Sequence, residues 1–102
     1  MNKINQGLLM LTAPRSLEEE LVDFFFDHNH QQGFTSLHVR GHSSNHDKLS
    51  PIEQVTGRQN NVQFQVLVNA SEAQVICQRL ESAFTGIGIH YWFIPSALQG
   101  HI

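Results

Sequence analysis

The pattern of apolar and polar positions predicts four β-strands. The first is a short run with four consecutive apolar side chains, which is typical of a central strand covered on both faces. The second and third alternate between apolar and polar residues, as half-buried strands do. The fourth is aromatic and ends at a proline. The predicted strands span residues 7–12, 35–41, 61–69 and 89–94.

Alternation also predicts which side chains share a face. In the second strand, Leu37 and Val39 point one way, while His38 and Arg40 point the other. We expect the apolar pair to lie under the helices, beside the apolar row of the third strand. The opposite, open face would then carry the following residues of these two strands: His38, Arg40, Gln63, Gln65 and Leu67.

Helical spacing and capping signals predict two main helices between the strands. Ser16, followed three residues later by Glu19, has the spacing of a capping box ahead of the first helix. Ser71 is predicted to cap the second helix, and Gly86 to follow its end. A serine followed by a proline and then a glutamate predicts a third, short helix over residues 50–55.

The resulting order, β-α-β-β-α-β, predicts an α+β fold of the ferredoxin-like type. In this fold a four-stranded antiparallel sheet carries both helices on one face. The length of 102 residues suits one domain. We therefore expect a single domain over residues 1–102, with its core in about residues 7–95.

Composition and charge exclude several classes of function. A net charge of −3 argues against binding to a nucleic-acid backbone, which requires clustered positive charge. Tyr91 and Trp92 resemble base-stacking residues of RNA-recognition domains, but the third strand offers Gln63 and Gln65 where such domains place aromatic residues. Apolar runs are too short for membrane insertion. The single Cys77 and the lack of a signal-peptide pattern favour the cytoplasm.

Charged residues make up 15% of the chain, against a usual value of about 25%. A small domain with so few charges is expected to hide part of its surface in an oligomer. Seven histidines add the possibility of a divalent metal site for Zn, Cu or Ni. The candidate ligands, in two groups, are His42, His46 and Asp47, and His28 and His30. The competing interpretation is that His28 and His30 complement a helix C-terminus and that the others are solvated.

No acid pair, nucleophile–base set or zinc-protease pattern appears, so we expect no enzymatic activity. Cys77 lies on the apolar stripe of its helix and is interpreted as a buried structural thiol. Gly86 and Gly88 follow a helix, whereas a phosphate-binding loop places its glycines before one, so a helix stop is favoured.

Several stretches together resemble a small bacterial family of PII-like proteins of unknown function. They are residues 41–43 (GHS), 55–59 (VTGRQ), 62–67 (VQFQVL) and 90–95 (HYWFIP), and the resemblance spans about residues 7–95. It implies a ferredoxin-like subunit in a cytoplasmic homotrimer whose open sheet faces turn inward. The trimeric CutA proteins are a second relative with this architecture.

The resemblance also implies a function. PII proteins bind nucleotides between subunits and present a long loop to a target protein, and members of the smaller family are often encoded beside heavy-metal efflux pumps. The corresponding loop here is residues 42–60. The nucleotide-cleft candidates are Gly41, Arg58, Gly86 and Gly88. Because the Lys and Asp that hold phosphates in PII proteins are absent beside these glycines, we do not expect ATP binding.

The sequence therefore leaves three hypotheses open. The first is a PII-like trimeric regulator that presents its loop to a partner, such as a membrane efflux pump. The second is a CutA-like metal-binding protein of metal homeostasis. The third is a structural trimer without a ligand.

Overall fold

A computed structural model describes residues 6–29, 33–42 and 58–102. The short helix predicted over residues 50–55 lies outside these ranges. Among the described residues no helix is both long and apolar enough to cross a bilayer. The elements are β1 (Gln6–Pro14), a 3-10 turn (Arg15–Leu17), α1 (Glu18–Asn29), β2 (Thr35–His42), β3 (Arg58–Asn69), α2 (Ala70–Ala83) and β4 (His90–Pro95).

The four strands form one antiparallel sheet in the order β2-β3-β1-β4, and both helices pack on one of its faces. This is the predicted ferredoxin-like α+β fold, with β1 and β3 in the centre. Three strands are longer than predicted. In particular, β3 begins three residues earlier, at Arg58, because its pairing with β2 continues as far as His42.

The core is built on the register between the two central strands. Leu9 lies opposite Val66, and Leu11 lies opposite Phe64. All four side chains are fully buried beneath the helices. From α1, Leu21 and Phe25 complete this layer, and from α2 the buried residues are Ala73, Ile76, Cys77 and Leu80. Every second residue of β1 is only half-buried, so one face of this strand is fully covered within the subunit, not both as predicted.

The face assignment predicted for β2 is wrong. Leu37 pairs with Gln63, which places Leu37 on the open face and not under the helices. Val39 lies on the same open face, because it pairs with Asn61 in the same register. His38 and Arg40 lie on the helix side and are exposed. The physical reason is that the helices cover the central strands, so the helix side of this edge strand remains in solvent.

The helix caps also differ from the predicted ones. Pro14 precedes the 3-10 turn without a side-chain cap, so the predicted capping box at Ser16 does not form. Before α2, Asn69 accepts a hydrogen bond from the backbone N–H of Glu72, and the Glu72 carboxylate accepts one from Asn69 N–H. Asn69 therefore replaces Ser71 as the cap, while Ser71 donates to the Asn69 side chain at 2.8 Å.

We predict that Gly7→Ala destabilises the fold by about 1–3 kcal/mol, because an added methyl group would overpack the sheet. A Cβ at this position would lie 2.5 Å from the backbone oxygen of Ile94 and 2.5 Å from the ring of Phe93. Urea denaturation measures the change. Gly100→Ala, where a Cβ meets nothing within 4 Å, is the matched control and should leave the midpoint unchanged. Equal midpoints for both variants would contradict the close packing.

We predict that Asn69→Ala lowers the free energy of unfolding by about 1 kcal/mol, as loss of an N-terminal cap does. Ser71→Ala should cost less, because Asn69 keeps its bond to the Glu72 N–H in that variant. Thermal unfolding monitored by circular dichroism compares the two. A larger loss of stability for Ser71→Ala than for Asn69→Ala would contradict this assignment and favour Ser71 as the cap.

Candidate functional site

A cleft of about 620 Å³ lies where the ends of all four strands meet one loop. The end of β1, the end of β2 and the start of β3 form its base, and the loop between α2 and β4 forms one wall together with the first residue of β4. Small-molecule sites occupy roughly 300–1,000 Å³, so the cleft has the size of a ligand site. Its lining residues are Thr12, Ala13, Pro14, Gly41, His42, Gln59, Asn61, Gly86, Ile87, Gly88 and His90.

The loop wall is shaped by two glycines with positive φ. Gly86 has a φ of 77° and Gly88 a φ of 92°, values that residues with a side chain rarely adopt. They let the chain turn sharply between the end of α2 and the first residue of β4. A Cβ at either glycine would meet nothing within 4 Å, so the cost of substitution there comes from the backbone conformation.

Among the residues that the structure describes, the lining of the cleft contains no Lys, Arg, Asp or Glu. Its polar side chains are Thr12, Gln59, Asn61, His42 and His90. The two histidines lie on the opposite edge strands of the sheet, three strand spacings apart. At about 4.8 Å per spacing, the backbones of the two strands are about 14 Å apart. One metal ion is therefore not expected to bind both imidazoles within a subunit.

Asn61 and Gly41 form a close contact in the cleft. An ideal Cβ on Gly41 would lie 2.7 Å from Asn61 Nδ2, so any larger residue at 41 would displace the amide. Asn61 is 8% exposed, and its Oδ1 is buried without a hydrogen-bond partner among the residues that the structure describes. The residue opposite it on β1 is Pro14, whose side chain is apolar.

Three of the four nucleotide-cleft candidates meet in this cleft: Gly41, Gly86 and Gly88. The fourth, Arg58, is placed by its backbone opposite His42, which itself lines the cleft. Sequence reasoning missed Thr12, Asn61 and His90. No motif connects these residues, and the available signal was their position at the ends of predicted strands.

The predicted metal ligands are not brought together in the described part of the chain. His30, His46 and Asp47 lie outside it, and His42 lines the cleft. His28 lies in the last turn of α1 and accepts a hydrogen bond at Nδ1 from Arg79 of α2, at 2.6 Å. Within residues 6–29, 33–42 and 58–102, no three His, Cys, Asp or Glu side chains cluster closely enough to hold a metal ion.

A second groove, of about 460 Å³, runs between α2 and β4 on the helix side. Its floor includes Leu9, Phe93 and the buried Cys77, and Tyr91 lies at its edge. Burial raises the pKa of the Cys77 thiol, which keeps the sulfur protonated at neutral pH. This agrees with the interpretation of Cys77 as a structural thiol.

The open face of the sheet carries no Lys, Arg, Asp or Glu on any of its four strands, over the residues that the structure describes. Its polar side chains are neutral, and Gln65 donates to Gln63 at 3.1 Å. Large apolar residues lie beside them, and Leu37, Trp92 and Ile94 are each about 40% exposed or more. Apolar residues from all four strands contribute: Leu8, Met10, Leu37, Val39, Leu67, Trp92 and Ile94.

Comparison with known proteins identifies one family and several related folds. The model of a family described as protein of unknown function (DUF3240) matches residues 4–102. No curated protein matches the sequence.

Three solved structures are similar in fold. A DUF3240 family protein from Shewanella baltica is 19% identical with a TM-score of 0.77, covering 100% of this chain and 99% of that one. A PII-like signalling protein from Thermus thermophilus is 21% identical with a TM-score of 0.63, covering 87% and 83%. CPII, a nitrogen regulatory PII-like protein from Thiomonas intermedia, was solved bound to ADP, AMP and bicarbonate. It is 11% identical with a TM-score of 0.63, covering 92% and 94%.

Proposed function

The chain belongs to the DUF3240 family of proteins of unknown function, and we propose that it is a PII-like regulatory trimer without catalytic activity. In this proposal the cleft beside Gly41 binds a small ligand, and residues 42–60 report its presence to a partner protein in the cytoplasm. A membrane efflux pump is one such candidate partner. The observation that carries the proposal is the cleft at the base of this segment, with His42 and Gln59 in its lining.

The open face supports the trimer. A sheet face on which no described residue is Lys, Arg, Asp or Glu, and which exposes Leu37, Trp92 and Ile94, is unfavourable in water. Strands of an antiparallel sheet with one solvated face normally place polar residues on that face, whereas β1 places Leu8 and Met10 there. Because the other face is already covered by the helices, a second copy of the chain is the simplest cover.

The cleft supports ligand binding at the border between subunits. Most of its lining belongs to the open-face side of the sheet, including Thr12, Gln59 and His90. A copy packed on that face would therefore lie next to the cleft and close it further.

The charges of the cleft favour a ligand with few phosphates. Phosphate groups are usually held by Arg and Lys, and the described lining has neither. The similar CPII structure is described as bound to ADP, AMP and bicarbonate. We accordingly propose that this cleft takes AMP or an anion of that low charge in preference to ATP.

The metal-binding alternative rests on His42. This predicted ligand lines the cleft and is the first residue of the segment 42–60, whose sequence also contains His46 and Asp47. A role in metal homeostasis would require these side chains to bind Zn, Cu or Ni.

We predict that Trp92→Glu dissociates the trimer, because it places a charge on the uncharged open face. Leu37→Glu, on the other edge strand, should do the same. Size-exclusion chromatography with light scattering reports the mass of each assembly. Val75→Glu is the matched control, because Val75 is 46% exposed but lies on α2, away from the sheet. Trimers in both sheet variants, or a monomeric wild-type protein, would contradict the proposed assembly.

We predict that the metal-stripped protein binds one AMP per subunit and binds ATP at least about tenfold more weakly. The reason is that no described Lys or Arg side chain lines the cleft to hold the extra phosphates. Native mass spectrometry with AMP, ATP, Zn and Cu added separately measures this. Uptake of Zn or Cu in integer steps without nucleotide, lost in the variant with His42→Ala and His46→Ala, would favour the metal-binding alternative. If the protein binds none of the four, the remaining hypothesis is a structural trimer without a ligand.

A further inference from the structure

Asn61 is buried at a cost that the subunit does not recover. The residue is only 8% exposed, and its Oδ1 has no hydrogen-bond partner in the described part of the chain. An unpaired buried polar group is unfavourable because it has lost its bonds to water. A leucine of similar shape would avoid this cost, so the fold alone gives no reason for an amide here.

The two residues that flank Asn61 across the sheet offer no side-chain donor to Oδ1. On β1 the opposite residue is Pro14 and on β2 it is Val39, and both side chains are apolar. The nearest residue of the cleft base, Gly41, has no side chain to offer. No described residue donates a hydrogen bond to Oδ1, and Asn61 lines the cleft, so a molecule bound there can supply the donor.

Gly41 makes room for the Asn61 amide. A Cβ at position 41 would lie 2.7 Å from Asn61 Nδ2, so the lack of a side chain there lets the amide pack against the backbone. The last side-chain torsion of asparagine is broad, and a modest rotation is enough to bring Oδ1 toward a bound molecule. Gly41 and Asn61 together thus form an acceptor that can be moved into the cleft.

We propose that Asn61 is the residue that recognises the ligand, with Oδ1 accepting a hydrogen bond from an N–H or O–H group. This inference rests on the proposed function of the cleft and names the chemistry that the cleft selects. The ligand carries a donor, such as a ribose hydroxyl or an amino group, in addition to its low negative charge. Thr12 and Gln59 lie in the same lining and offer further polar contacts.

The test compares Asn61→Leu with the wild-type protein in two measurements. Without ligand, Asn61→Leu should keep or raise the melting temperature, because it removes an unpaired polar atom. The same change at the other end of β3, Asn69→Leu, should lower the melting temperature by a few degrees, because Asn69 is fully hydrogen-bonded in its capping box. With AMP as the probe, isothermal titration should show at least about tenfold weaker binding to the Asn61 variant.

The two measurements separate the possible failures. If Asn61→Leu lowers the melting temperature as much as Asn69→Leu does, the amide is structural and this inference is overturned. If wild-type protein and both Asn61→Leu and Asn61→Ala bind AMP equally, the cleft binds its ligand without Asn61 and the inference is again overturned. If the wild-type protein does not bind AMP, the proposed ligand fails, while a higher melting temperature of Asn61→Leu still supports an amide retained for recognition.

Discussion

The pairing between β1 and β3 determines the rest of the molecule. Because Leu11 lies opposite Phe64, every second residue of both strands faces the helices and forms the core. A shift of one residue would turn these side chains to the other face, so the buried residues hold the register strongly. The same pairing, carried outward to the edge strands, determines which side chains lie on the open face and which meet in the cleft.

The fold could be predicted from the sequence to a large extent, because helix stops, helical spacing and apolar runs are local signals, although the predicted capping residues are wrong. The facing of β2 could not. Its alternation shows that Leu37 and Val39 share a face, but either face satisfies the pattern equally. The choice depends on its partner strand, where Leu37 meets Gln63, and on the helices, which leave the outer strand uncovered. On that uncovered side His38 bonds to Glu18 at 2.8 Å, a contact that no spacing in the sequence indicates.

The candidate site shows the same limit. The glycines of the cleft could be selected from the sequence because the resemblance to a known family implies a nucleotide cleft at their positions. Asn61 could not, since its importance depends on a missing hydrogen bond and on its place in the cleft, which are visible only in the structure. Residues that line a cleft from the ends of different strands have no fixed spacing in the sequence. Their roles become visible when the strands are placed side by side.

The apolar open face would have a consequence beyond the fold in the proposed trimer. A subunit that buried Trp92 and Leu37 against other copies would gain part of its stability from association. Its resistance to unfolding would then depend on its own concentration, so that a scarce protein would be less stable than an abundant one. The level at which such a chain is synthesised would thus help to set how long each copy survives, whether or not its ligand is present.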